Sequence, residues 1–66
     1  MINVRELKAY MAKKGKTGKD VANALNIAPN TFYRKVKKGV FGTDEVTTII
    51  KLLDMPKDKA TIIFLS

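Results

Sequence analysis

The chain contains neither cysteine nor histidine. Without cysteine, no disulfide and no thiolate metal site can staple the fold, and the redox compartment stays undetermined. Without histidine, the usual general base and the commonest zinc ligand are missing, so neither an enzyme, a metal site nor a cofactor is expected. Long apolar runs are missing as well. The longest plain one, Ile62 to Leu65, falls far short of a membrane span, and no basic start precedes an apolar stretch of about 7–15 residues. These absences predict a soluble, cytoplasmic protein.

Acidic residues are few: six Asp and Glu stand against 13 Lys and Arg, for a net charge of +7. Their placement says more than their number. Residues 1–38 carry all the Lys and Arg except Lys51, Lys57 and Lys59, opposed only by Glu6 and Asp20, whereas Asp44, Glu45, Asp54 and Asp58 all fall in residues 39–66. So lopsided a charge implies a polyanionic partner met by one side of the molecule.

Sixty-six residues build one domain, spanning 1–66. A domain this small buries only about 60% of its unfolded surface, and a partner subunit would help it. Asn3 with Glu6 three residues later predicts a capped first helix over roughly Val4 to Lys14, ended by Gly15-Lys16. Thr17, with Asp20 in the first turn, caps a second helix running to about Leu25. Asn26 suits a left-handed turn, and Pro29 suits the first position of a third helix ending near Lys38-Gly39, although Ala28 is a poor cap. A fourth helix opens at Gly42-Thr43-Asp44-Glu45, capped by Gly42 with Glu45 or by Thr43, and Val46, Ile49, Ile50 and Leu53 form its core stripe. Pro56 stops it and starts a fifth segment to Phe64. The TIIFL tail of that segment is also strand-like in composition.

The stretch from Thr17 to Val36 carries the functional expectation. On a wheel of about 100° per residue, Phe32 and Val36 point to the core, and Asn30, Arg34, Lys37 and Lys38 take the opposite face. Thr31 and Tyr33 flank that face, and Lys35 lies between flank and core. A helix of this kind fits the DNA major groove, where Asn pairs bidentately with adenine and Arg with guanine. Lys35, Lys37 and Lys38 would meet phosphates, and Thr17-Gly18-Lys19, at the start of the second helix, would offer another phosphate N–H groups, a hydroxyl and an ammonium. Base-reading candidates are therefore Asn30, Arg34, Thr31 and Tyr33.

The residues T-x-x-D-V-A-x-x-L-N-I-A-x-x-T-F-Y-R-K, followed by G-x-F and E-V-x-x-I-x-x-L-L, resemble the helix-turn-helix domain of the lambda-repressor/Cro class of phage and prophage regulators. The similarity covers nearly the whole chain. It implies an all-α, compact domain of four to five helices with a central helix-turn-helix. The function it implies is sequence-specific binding to a double-stranded, near-palindromic DNA operator, as a homodimer, in a bacterial host cell. With that class, Pro29, Asn30 and Arg34 would face the bases. Pro29 departs from the usual polar residue and cannot donate a hydrogen bond, Asn26 replaces a turn glycine, and Lys35 stands where an apolar residue is frequent. The chain has no room for a ligand-sensing domain, so regulation is expected from abundance or from a second regulatory protein.

Other readings compete less well. Gly15-Lys16-Thr17 looks like the end of a P-loop, but Tyr10 stands where its first glycine is needed. A basic amphipathic helix on a membrane surface would need an exposed apolar companion to the basic face. If the tail is helical, Ala60, Ile63 and Phe64 face one core and leave Ile62 and Leu65 outside; Ile62, Phe64 and Leu65 are then the candidates for a dimer contact. From another functional class comes a small antirepressor-like modulator that keeps the fold and binds a second repressor. Pro29 and the uncapped Ala28 speak for it.

Overall fold

The computed structural model describes residues 2–65. In chain order they form α1 (Val4–Lys13), α2 (Gly18–Leu25), α3 (Pro29–Lys38), α4 (Thr43–Leu52) and α5 (Lys57–Phe64), with no strand among the described residues. The protein is all-α, and none of these helices is long and apolar enough to cross a membrane.

Each helix begins and ends for a local reason. Asn3 Oδ1 accepts from the Glu6 N–H at 3.2 Å to open α1, and Gly15 at φ 69° turns the chain away after it. At the start of α2, Thr17 Oγ1 accepts from the Asp20 N–H at 3.2 Å while Asp20 accepts from the Thr17 N–H at 2.9 Å, a reciprocal capping box. Asn26 leaves α2 in the left-handed region at φ 60°. The Ile27 N–H then donates back to the Ala22 carbonyl at 3.0 Å, which fixes the tight turn into α3.

Ala28 contributes no side-chain cap to α3, so Pro29 starts it on backbone geometry alone, and Gly39 at φ 71° ends it. Of the two caps expected for α4 the structure selects Gly42, whose N–H donates to Glu45 Oε1 at 2.8 Å, and Thr43 is already helical. The tail left open between helix and strand is helix α5. A strand there would lack a paired edge in an all-α fold, whereas a helix carries Ile63 into the core.

Eleven apolar side chains, drawn from all five helices and from Leu53 and Met55 just after α4, are buried together in one cluster. Phe32, Leu7, Ile49, Leu53, Ile63 and Val21 are its largest fully buried members. α2 packs on both α3 and α4, and α1 packs on α5. The fully buried Ala22 lets α2 approach its neighbours closely. Tyr10 of α1 and Met55, beyond the end of α4, are both buried in this core. The N-terminal segment closes the far side, where the Asn3 N–H donates to the Ile63 carbonyl at 2.6 Å and the Ile2 N–H to that of Gly39 at 3.4 Å. Phe32 and Val36 thus hold α3 by one side, and its opposite side faces outward.

Candidate nucleic-acid interface

The outward side of α3 carries the residues placed there by helical spacing. Asn30, Arg34, Lys37 and Lys38 are all exposed, and Thr31 is half-buried at their flank. α3 itself holds four cations and no carboxylate. The three lysines of its last turn also offset the negative end of the helix dipole, which accounts for part of their placement without any partner. Beside the face lies a shallow depression of 260 Å³ lined by Thr31, Arg34, Lys35, Lys38 and Val40. Its chemistry is donor-rich.

Lys35 takes a different role from the one its charge indicated. Its Nζ lies 3.3 Å from Glu45 Oε1 and 3.3 Å from Oε2, so a phosphate would compete with α4 for the ammonium. Glu45 joins three elements at once, since it also caps Gly42. With side chains 35% and 21% exposed, the pair contributes only about 0–1 kcal/mol. The polar residue at that position has its partner in the first turn of the next helix.

Tyr33 and Gly18 pack against each other. The Tyr33 ring lies across Gly18: a Cβ at Gly18 would sit 2.5 Å from Tyr33 Cε1 and 2.5 Å from its hydroxyl oxygen. Its other neighbour is Phe32, edge-on at 5.7 Å between ring centroids. The ring is still 54% exposed, but its packed edge is committed to the α2–α3 crossing. Gly18 is buried beneath it, so its backbone leaves the surface on which a phosphate contact was expected. The exposed part of the α2 start is reduced to Thr17 and Lys19.

At that helix start the Thr17 N–H is already taken by Asp20, while the Thr17 hydroxyl, an acceptor toward the Asp20 N–H, keeps its own proton to donate. The bonds from the Thr17 backbone and side chain hold the Asp20 carboxyl below its ordinary value of 3.8, with desolvation opposing and Lys16 and Lys19 adding to the lowering. A depressed carboxylate stabilises the fold above its unfolded pKa, and the contribution is lost as pH falls through the folded value. The capping box therefore stays charged across the neutral range.

The residues expected at a dimer contact divide. Ile62 and Leu65 are 49% and 78% exposed, whereas Phe64 is half-buried against the core. Phe64 also lines an open groove of 260 Å³ with Ile2, Gly39, Val40 and Phe41. Sequence reasoning passed over Val40, which is 62% exposed and borders both this groove and the depression beside α3. The one available signal was a valine in the turn between two helices. It also passed over the gathering of Lys13, Lys14 and Lys59 around Tyr10. Spacings of three and four residues from Tyr10 could have found Lys13 and Lys14, but only packing brings Lys59. No group of three carboxylates able to hold a metal ion occurs among the described residues.

Comparison of the chain with family models, with curated proteins and with solved structures gives no match.

Proposed function

We propose that the chain binds double-stranded DNA sequence-specifically as a transcriptional regulator of the Cro or repressor kind, with α3 in the major groove. One observation carries the reading: the side of α3 opposite Phe32 and Val36 exposes an amide and a guanidinium one turn apart, followed by two lysines, with no carboxylate among them. Asn30 and Arg34 read bases, Thr31 assists from the flank, and Lys37, Lys38, Lys19 and the Thr17 hydroxyl hold phosphates. A helix presented in this way is about as wide as the groove. A homodimer joined through Ile62, Leu65 and the groove beside Phe64 sets two such helices about one DNA turn apart on a near-palindromic operator. Such a regulator works in the cytoplasm of a bacterial host, on its nucleoid.

A second reading keeps the fold and gives it a protein target: a small modulator that binds another repressor. The exposed Val40, next to an apolar groove and at the edge of the basic face, favours it.

Selection of bound duplexes from random DNA, followed by anisotropy titration of the best site and a scrambled one, separates the two. A DNA reader enriches a near-palindrome, and Asn30→Ala and Arg34→Ala each lose about 1–3 kcal/mol of discrimination at one base position. If the wild type enriches no sequence, the DNA reading is wrong.

A further inference from the structure

Away from α3, three ammonium groups from two helices converge on one aromatic ring. Lys13 and Lys14 Nζ each lie 5.6 Å from the centroid of Tyr10, and Lys59 Nζ lies 6.0 Å from it. Tyr10 is buried, so the ring forms a fixed floor, while Lys13 and Lys14 are exposed and Lys59 is half-buried. Opposite charge is scarce there. Glu6 Oε2 reaches Lys59 at 3.9 Å, and Lys13 and Lys14 have no ion-pair partner among the described residues. Attraction to the ring face gathers the lysines, but apart from Glu6 nothing offsets the repulsion among them.

The position of this cluster gives it a partner. Lys14 is three residues before Thr17, so at most about 11 Å of chain separates the cluster's edge from the phosphate-binding start of α2. That distance is roughly three base-pair rises of duplex. We infer that Lys13, Lys14 and Lys59, held on Tyr10, form an outer phosphate clamp that grips the DNA backbone beyond the base pairs read by α3. The inference rests on the DNA reading above. A clamp of this kind carries no sequence information, and it lengthens the footprint on the flank where α1 gives way to α2. Rigid placement on a buried ring lowers the conformational entropy that three free lysines would lose on binding.

The test is the salt dependence of the full chain on a duplex holding a single half-site of its best selected sequence, so that one protomer is read, between about 50 and 200 mM salt, for three proteins. These are the wild type, the variant Lys13→Gln/Lys14→Gln/Lys59→Gln, and the variant Lys37→Gln/Lys38→Gln. Each lost phosphate contact lowers the slope of log K against log salt by about 0.9, so the first variant loses about 2.7. Across that fourfold salt range the wild type then weakens about 40-fold more than the variant. Base preference stays unchanged, and trimming the flanking base pairs weakens the wild type but not the variant. Circular dichroism checks that the variant is folded. Should it unfold, Lys13→Gln and Lys14→Gln singly each lose about 0.9 of slope. A wild-type slope in the clamp variants, with a reduced slope in Lys37→Gln/Lys38→Gln, overturns the clamp and leaves the DNA reading standing. Absence of any duplex binding by the wild type overturns both.

Discussion

Gly18 and Tyr33 are a pair in which the smallest residue is required by a neighbour fifteen positions away. Alanine in a helix interior is better than glycine by about 0.5–1 kcal/mol, because glycine loses more backbone freedom on folding, and at the first position of α2 the same sign is expected. Here the added Cβ would meet the Tyr33 ring at 2.5 Å, so the ring must swing away from the α2–α3 crossing. Gly18→Ala is therefore expected to be less favourable in the wild type than in a Tyr33→Ala background, by about 1 kcal/mol of coupling. Urea unfolding of the four members of the cycle checks it; zero coupling would mean that the ring yields freely. Neither residue's role was legible in the sequence. Tyr33 sits at the edge of the outward face by spacing, and only the packed α2–α3 crossing turns its edge onto Gly18.

At the level of the element, α3 has one face set by its own periodicity and one lysine set by its neighbour. Asn30, Arg34, Lys37 and Lys38 followed directly from a period of about 3.6 residues, since Phe32 and Val36 can be buried only one way. Lys35 falls between the faces, where periodicity has no preference, and Glu45 decides its direction. Lys35→Gln is accordingly expected to change the DNA salt slope less than Lys37→Gln or Lys38→Gln, each of which should lower it by about 0.9. A full loss of slope in Lys35→Gln, measured by the same anisotropy titration, would show that the ammonium leaves Glu45 when DNA binds. The helix boundaries were well determined locally for a related reason: caps and left-handed residues act within three or four positions, as at Asn3, Thr17, Asn26 and Gly39.

For the molecule as a whole, the exposed apolar residues are the main feature the isolated chain leaves unused. Ile62 and Leu65 stand out on or next to α5, and Val40 borders the groove made with Ile2, Phe41 and Phe64. In a domain with so small a core, covering that surface in the proposed dimer would stabilise the chain as well as pair two α3 helices. Leu65→Glu and Ile62→Glu are expected to shift the protein to monomer in sedimentation velocity. They should also weaken binding to a two-half-site duplex at least tenfold, with little change for a single half-site. A wild type that sediments as a monomer both free and on the operator would remove the dimer from the proposed mechanism.

By itself, the sequence determined the first four helical segments, the side of α3 that is buried and the side that is not, and the excess of positive charge in residues 1–38. All of these depend on interactions within one helix or one turn, or on simple counting of charge. Tertiary structure decided that the tail is a helix, that Lys35 belongs to Glu45, that Tyr33 covers Gly18, and that three lysines meet over Tyr10. Each of these last contacts joins residues at least ten positions apart or depends on which partner is packed alongside, and a one-dimensional pattern carries no term for that.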